Sequence, residues 1–318
     1  NLLCCTIATQ VGNCAAIARV RTPEYSQEAK YLRDKLGLAL IINPELEAAI
    51  EMAHILHLPS SLEVTNFAHG QAQLIKYEIP EGSILDGTKL MDLGTRHHAN
   101  ILIGAVERDD EVTIPSGDFV LRKGDKLSFV GERRHTKEFF SHIGVNTHSV
   151  KNTLIIGGGK AAYYLAKQLI SRGIKVKIIE NSFERCEELS ILLPDAVIIN
   201  GDGTEQALLK EEGIETCQSF VPLTGIDEEN IMLTLYAKQV SNAKVITKLN
   251  RITFTNVINS LDLGSVISPK YITSEAIIAY VRAKKNSMNC NIETLYHMYD
   301  SRVEAIEFFV SENSNVTD

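Results

Sequence analysis

Between residues 151 and 250 short apolar runs alternate with segments of helical periodicity. "KNTLIIGGGK" (151–160) opens as a β-rich apolar run and breaks into glycines. "AAYYLAKQLISRG" then spaces its apolar residues as a helix does, with Gly173 placed to close it. "IKVKIIE" alternates as a strand, "SFERCEELSILLP" predicts a helix stopped at Pro194, and "AVIING" predicts a strand. The rhythm continues through a helix in "TEQALLKEEGI", a strand in "SFVPLT", a helix in "DEENIMLTLYAKQV" and a strand in "KVITKLN". Such alternation predicts a parallel sheet wrapped by helices on both faces, the doubly wound α/β plan.

The opening stretch repeats part of this unit. "NLLCCTIATQVGNCAAIARV" lies without a gap over "NIMLTLYAKQVSNAKVITKL", which begins at Asn230. Asn1 falls on Asn230, Ala8 on Ala237, Gln10 on Gln239, Val11 on Val240, Asn13 on Asn242, Ile17 on Ile246 and Arg19 on Lys248. After a four-residue difference in length, "LGLALIINPELEAA" follows the pattern of "LDLGSVISPKYITS". The polar identities carry the case, because helical periodicity alone inflates apolar agreement. The chain is therefore expected to be a fragment, entering its first copy at about the fourth helix and lacking that copy's glycine loop.

Residues 66–148 read as a small α+β unit. "QLIKYEI" predicts a strand, "LDGTKLMDLG" a short helix, and residues 99–131 two or three strands with turns at Asp109-Asp110 and Gly124-Asp125. "RRHTKEFFSHIG" predicts a closing helix, and "RVEAIEFFV" near the end aligns loosely with "AQLIKYEI" as the first strand of a second such unit. The expected organisation is the end of a first Rossmann-like domain with its connecting helix (1–60), an α+β domain (61–148), and a complete Rossmann-like domain (151–266). A connecting helix (267–290) and the start of a second α+β domain (291–318) follow. Helices 44–58 and 272–285 are candidate exchange surfaces.

Composition narrows the function class. The 318 residues are 44% hydrophobic and 23% charged, with a net charge of −8, an ordinary globular balance that argues against a nucleic-acid binder. No apolar run reaches the length of a membrane span, and the start has no basic region or cleavage site of a signal peptide. Cys4, Cys5, Cys14, Cys186, Cys217 and Cys290 form no CxxC pair and read as reduced thiols.

The candidate chemistry lies in Gly157-Gly158-Gly159-Lys160-Ala161-Ala162, a GxGxxA loop between a strand and a helix. The first Gly permits the tight turn, the second admits a pyrophosphate, and Ala162 replaces the third. The helix N-terminus then offers free N–H groups and a partial positive charge. Glu180 ends the second strand, where a carboxylate accepts hydrogen bonds from adenosine ribose hydroxyls and repels the 2′-phosphate of NADP. "GDGT", with Asp202, Gly203 and Thr204, follows the third strand, and the Leu223-Thr224 pair follows the fourth. Both lie at the carboxyl edge where such sheets bind ligands. Thr224 and Asp227 also read as helix caps.

"LIIGGGKAAYYLAKQL", "IIE", "INGDGT" and "LTGIDEENIMLTLYAKQ" resemble the RCK (potassium-conductance regulator) family, as found in the cytosolic TrkA-type subunits of Trk potassium uptake systems. The middle unit is similar to the small C-terminal RCK domain through "IPEGSILDGTKLMDLG" and "LRKGDKLSFVG", and the resemblance covers essentially the whole chain. It implies two Rossmann and α+β pairs in tandem. It places nucleotide contacts on Gly157, Gly158, Gly159, Lys160, Ala161, Glu180, Leu223, Thr224 and Lys248, with Asp202, Gly203 and Thr204 as further contacts. In the incomplete copy it leaves Arg19 alone, so that half is expected to bind no nucleotide. It further implies NAD or NADH as ligand, with ATP or ADP as the alternative, and a non-enzymatic cytoplasmic regulator peripheral to the inner face of the membrane. The implied partners are a Trk-type potassium-translocating subunit and further copies of the chain, in a dimer or ring.

Other constellations compete. Tyr280 and Lys284, with Ser268 upstream, form the YxxxK pattern of a short-chain NAD-dependent oxidoreductase. The glycine spacing is wrong for that family, and the matching first-copy positions are Ile55 and Pro59. Tyr163 and Lys167 form a second such pair, on the phosphate-binding helix where no substrate reaches. His97-His98 have no carboxylate or Cys at metal-ligand spacing and read as an exposed loop, and His135, His142 and His148 as solvated surface. Arg133 and Arg134 open a helix, an electrostatically poor position that reads as a solvated face.

Overall fold

The computed structural model describes residues 1–12, 14–22, 28–58, 60–67, 71–96, 100–145, 147–251, 258, 261–286, 292–299, 302–308 and 310. The chain begins with α1 (Leu2–Val11), β1 (Ile17–Arg19), α2 (Ala29–Leu36), β2 (Leu40–Ile42) and α3 (Pro44–His57). Next come β3 (Glu63–Phe67), β4 (Ala72–Glu78), α4 (Leu90–Arg96), β5 (Leu102–Arg108), β6 (Glu111–Thr113), β7 (Lys126–Glu132) and α5 (Arg133–His142). The alternating region holds β8 (Asn152–Ile156), α6 (Lys160–Ile170), β9 (Lys175–Glu180), α7 (Phe183–Leu192), β10 (Val197–Asn200) and α8 (Gln206–Glu211). It continues with β11 (Ser219–Pro222), α9 (Asp227–Val240), β12 (Lys244–Lys248), β13 (Ser265–Ile267), α10 (Pro269–Asn286), β14 (Ile292–Met298) and β15 (Val303–Phe308). These elements divide into two units, one of residues 1–53 and 150–280, the other of residues 54–149 and 281–318.

In the first unit β8 to β13 form a six-stranded parallel sheet in the order β10-β9-β8-β11-β12-β13. The order reverses between β8 and β11, which opens a crevice at their carboxyl ends. Helices cover both faces, so the central strands are buried on both sides: all of β11 and residues 153–156 of β8 are buried. Leu154, Ile156, Ile179, Phe220, Leu233 and Val245 make the core of one face. Burying each such side chain contributes about 1.5–3 kcal/mol. Helix α6 ends as its sequence predicts, with Gly173 in the left-handed region at φ 76°. Helix α7 is capped by Ser182, whose hydroxyl accepts from the Arg185 N–H at 3.3 Å, and stops at Leu192, two residues before Pro194.

The repeat seen in the sequence is also a repeat in register. Strands β1 and β2 pair in parallel with Ile17 opposite Leu40, and β12 and β13 pair with Ile246 opposite Ser265, the aligned positions. Val20 N–H donates to Ile42 at 2.8 Å, and its counterpart Leu249 N–H donates to Ile267 at 3.0 Å. The Asn1 amide donates to the Arg19 carbonyl at 3.3 Å, as Asn230 does to Lys248 at 3.0 Å. The first copy docks against α6, where the Asn43 amide donates to Tyr164 Oη at 2.9 Å and Arg172 donates to the Ala53 carbonyl at 3.1 Å. One buried pair is not repeated. Thr234 and Thr247 share a 2.7 Å hydroxyl bond, and Thr247 donates onward to the Leu263 carbonyl at 2.7 Å. Cys5 and Ala18 stand at the matching places.

The second unit holds a five-stranded antiparallel sheet in the order β3-β4-β7-β5-β6. Ile75, Tyr77, Leu127, Phe129, Phe139 and Phe140 build its core with α5, and Tyr77, Phe129 and Phe140 meet edge to face. Asp109 and Asp110 take φ of 51° and 62° in the expected two-residue turn joining Arg108 to Glu111. Buried Asp125, in the second expected turn, receives a two-pronged bond from Arg108, 2.7 Å to each oxygen.

The antiparallel pair β14-β15 belongs to this unit. Its Tyr299 hydroxyl bonds to Ser128 Oγ at 2.8 Å and donates to the Lys126 carbonyl at 2.9 Å. Arg302 meets Glu107 at 2.8 Å. Two boundaries differ from the sequence expectation. The strand in "QLIKYEI" is second rather than first, because β3 precedes it, and β14 likewise precedes the strand in "RVEAIEFFV". Helix α4 starts at Leu90, since Gly87 at φ 80° holds a turn where the helix was expected to run. Among the described residues no helix is long and apolar enough to cross a membrane.

Candidate functional site

The crevice at the carboxyl ends of β8 and β11 is a pocket of about 590 Å³. Gly157, Gly158, Gly159, Glu180, Asp202, Gly203, Thr204, Leu223, Thr224 and Lys248 all line it, brought together from three loops and the ends of β9 and β12. Lys160, Ala161 and Arg19 line an adjoining pocket of about 450 Å³. Gly159, Leu223 and Lys248 border both.

Two of the glycines are required by the local geometry. Gly157 takes φ 94°, and a Cβ there would stand 3.1 Å from the Leu223 carbonyl oxygen. A Cβ on Gly158 would approach Leu189 Cδ1 to 2.6 Å and Glu180 Oε2 to 3.0 Å. Helix α6 begins directly after this loop, and no side chain caps its first turn. Its leading N–H groups therefore remain for an anion, aided by the helix dipole.

Glu180 already shapes the loop. Oε2 accepts from Gly158 N–H at 2.6 Å and Oε1 from Ser182 N–H at 2.8 Å. A carboxylate has about four acceptor positions, so ribose hydroxyls can still donate to it. Arg185 closes the other side, its Nε donating to the Gly158 carbonyl at 2.7 Å and its Nη1 to Glu188 at 2.5 Å. Asp202 Oδ1 accepts from the Thr204 N–H at 2.9 Å and its hydroxyl at 2.7 Å, which holds the Asp202 carboxyl below the usual carboxylate range.

Lys248 spans the boundary between the two pockets. Its ammonium donates to the Thr224 carbonyl at 2.7 Å and the Leu223 carbonyl at 3.3 Å. Burial pushes its pKa down, and the carboxylates of Asp227 and Glu45 oppose that shift.

Asn230 is a positioning residue that motif reading did not assign. Fully buried, it accepts from Thr224 N–H at 2.9 Å and donates to the carbonyls of Thr224 at 3.3 Å and Lys248 at 3.0 Å. Its identity with Asn1 across the repeat was the available signal, since the recurring amide makes the same bond in both copies, to the Arg19 and Lys248 carbonyls.

Two competing readings change. Neither Thr224 nor Asp227 caps α9, because Ile226 occupies the cap position without a side-chain bond. Asp227 instead holds the segment after β12, accepting from Asn250 N–H at 2.8 Å and Arg251 N–H at 2.8 Å. His135 is half-buried beside Asn100 and Glu132, while His142 and His148 are exposed. Neither Tyr280 nor Lys284 lines either pocket. His97, His98 and Cys290 lie outside the described residues, and among the described residues no metal-binding cluster occurs and five cysteines are free thiols.

A reversing parallel sheet, a glycine turn into an uncapped helix and an acid at the end of the second strand define a nucleotide-binding Rossmann-type protein. The TrkA-N domain model matches residues 153–269 and the TrkA-C domain model residues 74–144. The chain is 33% identical over 301 residues to the Trk system potassium uptake protein trkA homolog 1 of Methanosarcina mazei, covering 94% of this chain and 72% of that protein. It is 29% identical over 321 residues to TrkA of Haemophilus influenzae, covering 100% of this chain and 69% of the relative. Other TrkA relatives from M. mazei are spanned to 65% of their length. Among solved structures, the GsuK channel superposes with TM-score 0.67 at 18% identity, over 93% of this chain and 52% of that one, a likeness of fold. The chain belongs to the TrkA family of Trk system potassium uptake proteins.

Proposed function

We propose that this chain is a regulatory, non-enzymatic protein of potassium uptake that binds NAD or NADH in the crevice between β8 and β11. The observation that carries the reading is Glu180, whose carboxylate holds the Gly158 N–H at 2.6 Å and stands at the end of β9 where an adenosine ribose would lie. It joins the phosphate loop to the sugar site in one contact. A GsuK channel solved bound to NAD is similar in fold, with TM-score 0.65 at 17% identity. ADP and ATP share the adenosine half and are the alternative occupants. The nucleotide-free first copy, the domain boundaries set out above and the contacts from Gly157 to Lys248 and Arg19 are part of the same proposal.

The partner is a Trk-type potassium-translocating membrane subunit, contacted from the cytoplasmic face by copies of this chain assembled as a dimer or ring. A nucleotide acts by favouring one arrangement of the assembly over another, and its leverage equals its difference in affinity for the two. Thermal-shift measurements with NAD, NADH, ADP, ATP and NADP test the site. All but NADP are expected to raise the melting temperature in proportion to ln(1 + [L]/Kd), with NADP last because Glu180 opposes its 2′-phosphate. A first-ranked NADP overturns the assignment of Glu180.

A further inference from the structure

The pocket adjoining the crevice contains a carboxylate that the nucleotide reading leaves without a task. Glu45, at the start of α3 in the first copy, is 9% exposed and lines this pocket with Lys160, Lys248 and Lys270. Its Oε1 is held by Arg21 at 2.5 Å, with Arg19 at 3.6 Å. Its Oε2 is buried and has no hydrogen-bond partner. Buried polar atoms are nearly always satisfied, so an unpaired oxygen on a carboxylate whose side chain lines a cavity points to a donor that arrives with a ligand.

The surroundings limit what that ligand can be. Arg19, Arg21, Lys160, Lys248 and Lys270 give the pocket an excess of positive charge, and α6 points its N-terminus there, so phosphate oxygens are favoured near Lys160. Phosphates alone bring only acceptors and leave Glu45 Oε2 unsatisfied. A group that follows two phosphates with hydroxyl or amide donors satisfies both demands. The second nucleoside of a dinucleotide has that chemistry, offering ribose hydroxyls and a carboxamide NH₂. A rotation about the Glu45 Cγ–Cδ bond presents either oxygen while the arginines keep the other.

We infer that Glu45 is a specificity-determining residue: the first copy lends its carboxylate to the second nucleoside of a dinucleotide whose adenosine half sits against Glu180 in the second copy. The two acids then play matched parts, one for each sugar. The aligned position in the second copy is Lys270, so the contribution runs one way. A site built to accept from ligand hydroxyls discriminates strongly against an analogue lacking them. This inference rests on the proposed nucleotide site and sharpens it from adenine nucleotides in general to dinucleotides.

Calorimetric titration of the intact chain with ADP, ADP-ribose, NAD, NADH and Mg-ATP tests it. Wild-type protein is expected to bind ADP-ribose and NAD at least tenfold more tightly than ADP. Glu45→Gln should lose about tenfold for ADP-ribose, NAD and NADH and leave ADP within twofold. Equal losses for ADP and NAD, no loss for NAD, or a magnesium-dependent ATP affinity abolished by Glu45→Gln would each overturn the assignment. If Glu45→Gln fails to fold, the wild-type series decides alone, and equal affinity for ADP and NAD is then the negative result. Failure of every nucleotide to bind the wild type would remove the underlying site, a separate outcome.

Discussion

The two copies of the repeat share a skeleton and differ in charge and burial at matched positions. Strand register, the β-ladder bond from Val20 or Leu249, and the asparagine amide on the next strand recur at aligned positions. Yet Glu45 is matched by Lys270, Asn43 by Ser268, and exposed Asn1 by fully buried Asn230. Register follows from which side chains must be buried on a two-faced sheet, and a one-residue slip would expose them. Charge at a loop tip carries no such constraint, so ligand chemistry is free to diverge on an unchanged frame.

Breaking the glycine loop of the second copy gives the largest expected effect. Gly157→Val combines positive φ with a 3.1 Å clash against the Leu223 carbonyl, and should cost about 3 kcal/mol and abolish nucleotide binding. Gly159→Ala meets open space in the protein and should leave stability nearly unchanged, yet weaken nucleotide binding, because this glycine admits the pyrophosphate. Chemical denaturation with parallel titration checks the pair, and retained binding in Gly157→Val would move the site elsewhere.

The asparagine pair is the next contrast. Asn230→Ala deprives buried Thr224 and Lys248 backbone groups of partners and should cost about 2–3 kcal/mol. Asn1→Ala, at an exposed site with one 3.3 Å bond, should fall within about 0.5 kcal/mol. Equal urea midpoint shifts for the two would erase the difference between copies.

A third contrast concerns Lys244, aligned with Ala15. Burial, reinforced by Lys238 and opposed by Asp262, pushes its pKa down to about 8 from 10.5. Between those values the unfolded chain holds a proton that the folded one lacks, so stability rises as pH increases through that window. Below about pH 8 both states are protonated and the full penalty of burying the charge remains. Lys244→Met should raise the melting temperature at pH 7 and flatten its rise between pH 8 and 10.5. An unchanged slope would show that Lys244 is not the titrating group.

Much of this architecture was legible because parallel strands write themselves as β-rich apolar runs, and the turn residues between them are chemically demanding. Gly173, Pro194 and the Asp109-Asp110 pair each marked an end that the structure places where expected. Strand β3 was missed because "EVTNF" carries Glu63, Thr65 and Asn66 and belongs to a sheet where pairing, with Glu63 opposite Lys76, makes the strand. The glycine loop and Glu180 followed from spacing, since their chemistry is local to one strand–turn–helix unit. Arg21 with Glu45, or Asn43 with Tyr164, depends on chain segments meeting from afar, and no local pattern records that. Asn230 stood in view as one half of an identity, but its three backbone partners needed coordinates to be counted.

The Thr234–Thr247 pair has a consequence for how such a duplicated chain assembles. During synthesis the first-copy strand appears long before its counterpart, and matched registers invite it to insert beside β11 in the wrong place. A strand offering Ala18 there would strand the Thr234 hydroxyl and the Leu263 carbonyl in the interior. The hydroxyl pair thus works as an address label, penalising the near-identical impostor while the rest of the frame accepts either strand.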